Sequence, residues 1–306
     1  MISRGTLTLA FGKPKYLEMA KSLARSLLLH DPALPRAIVT DSTDPELATL
    51  FTHVLPLCRE YGSNVRQKLF LDHYTPFDET LFIDSDCLAV RPLEDFWSAF
   101  HDVPFGVCGQ RTLYAGETDE YLHVDFLLRR FHLNGLPKFN GGIYYFKRTL
   151  AAIKLFDTAR DLMNDATELR FSDFRDDGPA DEAIFSVAMA LHNLTVTDMG
   201  LGGMWTPIDA TTRLQIDVPN GFCSFVKRGR SLAPHILHAA TFTESLFYLR
   251  ECAKLRHTPP RLTLTQELNL RATALALWMR RKKNGLVRRL RATHRPLHTI
   301  APARNS

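Results

Sequence analysis

Between residues 6 and 83 the chain alternates short apolar, β-prone runs with segments of helical spacing, and few folds accept that alternation. The first run, residues 6–11, stops at Gly12 and Pro14. From Tyr16 onward apolar residues recur at Leu17, Ala20, Leu23, Ala24, Leu27 and Leu28, the spacing of one helix face. Residues 36–40 (RAIVT), 53–57 and 80–83 (TLFI) read as further strands, with helical segments over 45–51 and 65–73. Strands separated by helices pair in parallel and carry the helices on their faces. Past residue 104 the pattern is mixed, with strands expected at 104–108, 142–147 and 195–198 and helices at 149–165 and 179–191. Residues 199–234, rich in Gly, Pro, Asn and Thr, read as irregular binding loops or a lid. Pro259-Pro260 breaks the chain before a helix over 263–279. The expected division is an α/β domain over 1–255 and a C-terminal helix with a basic tail over 256–306.

A hydrophobic content of 45% in 306 residues supplies a large core and excludes a disordered or fibrous chain. No run reaches the roughly 18 apolar residues of a membrane span, and the N-terminal apolar stretch is too short for a secretory signal. Five scattered cysteines without a CxxC pair argue against a disulfide framework or a structural zinc cluster. The sequon Asn193-Leu194-Thr195 therefore reads as chance, and the expected location is cytoplasmic. The net charge of +5 hides an asymmetry. Residues 280–306 hold nine Lys and Arg and no acid, which leaves 29 basic against 33 acidic residues, a net of −4, in 1–279. A cationic tail on an acidic body suits a polyanionic partner.

The run Leu81-Phe82-Ile83-Asp84-Ser85-Asp86 sets two carboxylates at the carboxyl end of a buried strand, where open α/β sheets bind ligands. Side chains at i and i+2 of an extended segment point the same way. Two hard oxygen donors suit Mg²⁺ or Mn²⁺ bridging to diphosphate oxygens. An ordinary acidic turn after a strand has the same local sequence, so the pair gains meaning from its company.

That company is ordered. TLFIDSDCLAV resembles the DxD signature of GT-A glycosyltransferases, family 8 and its bacterial relatives in particular. Phe139-Asn140-Gly141-Gly142-Ile143 is similar to the family's F-N-[SAG]-G-[VI] segment, and Asp181-Glu182-Ala183-Ile184-Phe185 to its D-Q-x-x-[LF] segment. Ile236-Leu237-His238 is similar to the late strand that ends in a metal-binding histidine. The resemblance spans roughly residues 5–245 and implies a Rossmann-like GT-A fold, a mixed, mostly parallel sheet flanked by helices. It implies a divalent metal, Mn²⁺ or Mg²⁺, held by Asp84, Asp86 and His238. Asp84 and Ser85 would also touch ribose or sugar, and Ala10 and Tyr16 would lie beside the nucleotide base. Asp181 and Asn140 would hold donor or acceptor hydroxyls, with Gly141 and Gly142 permitting close backbone approach to the ligand. Arg66 or Lys68 would meet phosphate or base. His235, three residues before His238, points to the opposite face of an extended strand, so one of the two is expected to ligate. As local readings, Asp181 equally suits a helix N-cap, and Arg66 and Lys68 a solvated helix face.

Two departures from the family pattern matter. Glu182 stands where the family commonly has Gln, and a carboxylate there could stabilise an oxocarbenium-like transition state, attack as a nucleophile, or deprotonate an acceptor. After His238 the chain runs Ala-Ala-Thr-Phe-Thr-Glu-Ser, without the family's Gly and phosphate-binding Lys, which leaves Lys227, Arg228 and Arg230 as cationic candidates. The expected function is transfer of a hexose from a nucleotide-sugar, UDP-linked, to a glycan or lipid-linked acceptor with retention. The alternatives are a nucleotidyltransferase acting on sugar phosphates and a non-catalytic protein that binds nucleotide-sugar or nucleic acid. Leu275, Trp278 and Met279 beside Arg280–Lys283 suit docking on an anionic membrane surface, at its inner face. The absence of aromatics in 280–306 disfavours nucleic acid.

Overall fold

The computed structural model describes residues 2–62, 64–174, 178–257 and 259–293, with the side chains of 64 and 285–293 left aside. A six-stranded sheet runs in the order His53–Pro56, Arg36–Thr40, Arg4–Leu9, Glu79–Ile83, Ile143–Lys147, Phe105–Gly106. The first four strands pair in parallel, as the alternation of strands and helices predicts. Ile143–Lys147 then runs antiparallel to both of its neighbours, so the sheet is mixed and mostly parallel. The chain leaves Arg4–Leu9 to one side for two strands and returns on the other with Glu79–Ile83. A reversal of strand order opens a crevice beyond the carboxyl ends of those two strands.

Period-2 alternation feeds two cores. Phe82, Tyr144 and Phe146 point to one face, where they pack with Phe156 and Phe185 of the helices Leu150–Asn164 and Asp181–Leu191. Leu81, Ile83, Ile143 and Tyr145 point to the other, against Leu23 and Leu27 of the helix Pro14–His30 and Phe96, Trp97 and Phe100. Each large side chain so buried contributes roughly 1.5–3 kcal/mol. With both faces covered, the central strands are protected from water and their ends remain open to ligands, while the edge strand His53–Pro56 stays largely exposed.

Three segments differ from the sequence expectation. The helix expected at 65–73 is a 3₁₀ segment, Asn64–Phe70, followed by one α-turn, Leu71–Tyr74. The fully buried Gln67 donates to the carbonyls of Cys58 (2.9 Å) and Gly62 (2.7 Å) and accepts from the Tyr74 hydroxyl (2.6 Å), which pins the tighter turn. Residues 195–198 form a single bridge, Cys108 with Thr197, in place of a strand. The 199–234 stretch is not merely irregular: Met204–Trp205 pairs with Ile236–His238, and Gln215–Asp217, Phe222–Lys227 and Arg230–Leu232 form an antiparallel sheet. Their alternation is hidden by shortness and by intervening Gly and Pro.

Contacts divide the chain into two compact units, 1–240 and 241–306. In the second, the helices Leu246–Lys254 and Leu264–Thr293 are joined by Glu267, which pairs with Arg250 and with Arg271 (3.1 Å). Thr263 and Gln266 form a capping box: the Thr263 amide donates to the Gln266 side chain (2.8 Å) and the Gln266 amide to the Thr263 hydroxyl (3.3 Å). The long helix runs past its expected end at 279, because Lys and Arg are good helix formers and no proline interrupts them. Among the described residues, no helix is long and apolar enough to cross a membrane. The tail positions 294–306 lie outside the described residues.

Candidate functional site

Five segments deliver the site to the crevice. Glu79–Ile83 ends at Asp84, and the Cys87 amide donates back to the Asp84 carbonyl (3.0 Å), closing a turn that carries Ser85 and Asp86. Ile236–His238 pairs antiparallel with Cys87–Ala89, so His238 sits opposite Cys87 and reaches the acids. Its Nε2 lies 3.2 Å from Asp86 Oδ1 and 4.0 Å from Asp84 Oδ2. The opposite nitrogen, Nδ1, is 2.6 Å from Asn140 Oδ1, which also accepts the Gly142 N–H at 3.1 Å. Because a backbone N–H only donates, the shared Asn140 atom is an acceptor and Nδ1 carries a proton. That tautomer leaves Nε2 for whatever cation joins the acids.

Burial pushes the His238 imidazole down, but the Asp86 carboxylate and its hydrogen bond outweigh it and hold the ring above its ordinary value. For Asp86, burial is likewise outweighed by the charge of His238, and the carboxyl is held low. Asp84 is pushed up by burial, against the pull of Lys68. A proton and a metal ion therefore compete for the same Nε2 position, facing Asp86.

Lys68 is the second cation. Its Nζ lies 2.9 Å from Asp84, 3.0 Å from Asp181 and 3.2 Å from the Gly141 carbonyl. Burial lowers its pKa, yet the carboxylates of Asp181 and Asp84 prevail and keep it charged far above neutrality. Arg66, two residues earlier on the 3₁₀ turn, turns outward and donates to Asn164 (3.2 Å), so the structure brings Lys68 and not Arg66 to the acids. Asp181 is the first helical residue and not the N-cap, which is Ala180. Its carboxylate accepts from the Tyr144 hydroxyl (2.6 Å) and from Lys68 instead. Glu182 accepts the Gly141 N–H (3.1 Å), stands 3.7 Å from Lys138, and is pushed up by burial.

The glycine pair answers to space. A Cβ on Gly141 would come 2.7 Å from the Tyr144 hydroxyl and 2.9 Å from Asp181, and one on Gly142 would come 2.7 Å from His238 Nδ1. Any side chain there would force the acids and the histidine apart. Ala10 is buried at the end of the first strand, and Tyr16 is half-buried on the first helix, beneath Lys15. His235 faces away, toward the Pro92 carbonyl (3.2 Å) and Asp95 (3.5 Å). Tyr144, Lys138 and the Asn140–His238 bond are absent from the sequence expectation; of these residues only Tyr144 falls within a run, 142–147, that reads as a strand.

Asp86, Cys87 and His238 offer ligand atoms that all lie within 4.8 Å of one another. Carboxylate and imidazole donors on a fixed turn and strand fit a divalent cation. Cys87 is a weaker donor, since complete burial beside Asp86 and Asp84 pushes its thiol well up. None of the five cysteines forms a disulfide.

Beyond Glu182 a cleft of about 300 Å³ is lined by Asn140, Lys138, Trp205, Lys227 and Arg228 among others.

Comparison with protein-family models and with the curated proteins finds no match. Among solved structures, an active-site mutant of LgtC aligns at 14% identity with a TM-score of 0.50, covering 76% of this chain and 86% of that one. The galactosyltransferase LgtC with donor and acceptor sugar analogs aligns at 12% identity over the same shares, TM-score 0.49. The glycosyltransferase GlyE of Streptococcus pneumoniae TIGR4 aligns at 13% identity over 65% of this chain and 46% of that one, TM-score 0.42. With the sheet topology, the LgtC likeness establishes the architecture of this chain as the Rossmann-like GT-A fold.

Proposed function

We propose that this chain is a metal-dependent glycosyltransferase of the family-8 type. It moves a hexose from a UDP-sugar to a glycan or lipid-linked acceptor with retention at the anomeric carbon. The observation that carries the reading is the convergence of Asp84, Asp86, His238, Lys68, Asp181 and Glu182 at the carboxyl end of one central strand, at the point where strand order reverses. Structural ion pairs are seldom assembled from so many distant segments around a crevice.

In this reading Asp84, Asp86 and His238 hold Mn²⁺ or Mg²⁺, which when bound neutralises the diphosphate leaving group. The chain's own groups do the rest. Ala10 and Tyr16 flank the base, and Asp84 and Ser85 face the ribose. Lys68, already held by Asp84 and Asp181, keeps those acids aimed at donor hydroxyls. Asn140 fixes the His238 ring while Gly141 and Gly142 leave room for the sugar. Glu182, oriented by the Gly141 amide, stabilises positive charge that develops at the anomeric carbon. The Phe222–Lys227 and Arg230–Leu232 hairpin helps exclude water from the cleft.

For the second unit the reading is peripheral docking at the inner face of an anionic membrane. Leu268, Leu275, Trp278 and Met279 are exposed on the long helix, and Lys282 lies 5.6 Å over the Trp278 ring. Apolar anchors beside cations match an interfacial helix.

Incubation with Mn²⁺ and a panel of nucleotide-sugars, with nucleotide release and binding measured, tests the transferase. Binding of at least one UDP-sugar is expected, with a loss of a hundredfold or more in Asp86→Ala. Indifference to every donor in both proteins sinks the reading.

A further inference from the structure

The cleft beyond Glu182 has a charge problem that the donor site does not solve. Among the described residues, Lys227 is a 9% exposed lysine whose nearest favourable charge, Asp209, makes no ion pair with it. Its Nζ donates to the Thr206 carbonyl at 3.2 Å, which uses one of three N–H bonds. Buried lysines are almost always paired, because an ammonium stripped of water needs a counter-charge. Burial, with Arg228 adjacent, pushes the ammonium down, and Asp209, too far away to form an ion pair, offsets this only in part.

Arg228 reinforces the point. It forms with Gly229 a two-residue hairpin tip, both in the left-handed region (φ 51° and 73°). Asn, Asp or Gly normally fills the first position of such a turn. Here it is an arginine that lines the cleft, and no carboxylate pairs with it among the described residues. The other cations nearby are already matched, Lys138 by Asp119 (2.7 Å) and Arg111 by Glu117. Asp198 is occupied too, accepting from Gln110 (2.7 Å) and the Gly200 amide (2.8 Å).

Position separates this pair from the diphosphate. The cleft is lined by Asn140 and Glu182, whereas Ala10, Tyr16, Lys68, Asp84, Asp86 and His238 do not line it. Of the residues that converge around His238 and Lys68, it meets Asn140 and Glu182. Its volume, about 300 Å³, has room for one or two sugar rings, and the half-buried Trp205 is among its lining residues.

We propose that this cleft is an acceptor subsite that selects a sugar bearing an anionic group, carboxylate or phosphate, through Lys227 and Arg228. The word acceptor rests on the transferase reading; the anion selectivity rests on the cleft alone.

The full chain with Mg²⁺ is titrated with methyl β-glucuronide, glucose 6-phosphate and methyl β-glucoside by saturation-transfer NMR, and with UDP by calorimetry. At least one anionic sugar binds about tenfold more tightly than the neutral glucoside, and which one does so identifies the anion. In Lys227→Met that preference falls to within twofold while UDP affinity is unchanged. Arg228→Ala, at an exposed tip where folding is not at risk, lowers it about threefold and stands in if Lys227→Met does not fold. Equal binding of all three sugars overturns the proposal. So does a tenfold loss of UDP affinity in either variant with the sugar preference intact, since the cations would then serve the donor. If UDP fails to bind but the preference and its loss are seen, the transferase reading falls and the anion subsite stands.

Discussion

At the scale of single residues, the site is organised by what holds His238. Asn140 accepts from its Nδ1 and so decides which ring nitrogen faces the acids. An outer hydrogen bond of this kind contributes about 10–100-fold in metal affinity. Asn140→Ala is expected to weaken Mn²⁺ binding by roughly that factor, read by electron paramagnetic resonance titration, without moving the thermal midpoint by more than a few degrees. Glu182 is tested by subtraction. If it stabilises charge, Glu182→Gln lowers kcat by about 10–100-fold and leaves KM for the donor near its original value. A loss beyond about 10⁴-fold assigns it as nucleophile, and near-normal turnover excludes an obligatory base or nucleophile. The residue types that converge were legible in the sequence because each stands at the end of an apolar run or opens a helix. Two details were not. Lys68 turns inward and Arg66 outward because the segment winds with three residues per turn, and helical spacing of 3.6 cannot foresee that choice. The Tyr144–Asp181 and Asn140–His238 bonds join residues 37 and 98 positions apart, a pairing that no local pattern encodes.

At the scale of elements, Lys21 ties the first helix to the rim of the sheet. Its nearly buried ammonium meets Glu18 (2.6 Å), Asp44 (3.0 Å) and Glu46 (3.0 Å). Burial works against the ammonium, but the three carboxylates prevail and raise its pKa. Glu46 is held low chiefly by the hydrogen bond from Lys21, and Asp44 by the Glu46 amide and then Lys21. Carboxyls depressed in the folded state contribute stability above their unfolded values, near 4, and lose it as pH falls further. The raised lysine contributes throughout that range and fails only above about pH 10. Lys21→Met is therefore expected to lower Tm by roughly 2–6 °C at pH 7. The gap to wild type should narrow between pH 4 and 3, as thermal melts followed by circular dichroism will register; a gap independent of pH refutes the assignment. The parallel strands were legible because each apolar run is followed by a helical one. The antiparallel course of Ile143–Lys147 was not, because a strand buried on both faces reads the same in either direction.

For the molecule as a whole, the charge asymmetry of the sequence falls along the two units, with the acids that converge at the site in 1–240 and the cationic tail in 241–306. Each basic residue near an anionic surface adds about 1 kcal/mol, so nine of them suffice for reversible docking alongside a modest apolar face. Removal of residues 280–306 is expected to cut flotation with phosphatidylserine vesicles at least tenfold while leaving UDP binding unchanged. Equal flotation of both forms removes the membrane from the account. The site has a temporal consequence as well. Its acids are laid down early in the chain, yet the histidine that completes them sits on a strand in the last part of the first unit, paired edgewise to Cys87–Ala89. During synthesis the acidic turn exists before its partner, and the cluster of Asp84, Asp86 and His238 is not assembled until that late strand has been made and has docked. In the proposed reading, competence to bind metal thus arrives last, as a certificate that the whole unit has folded.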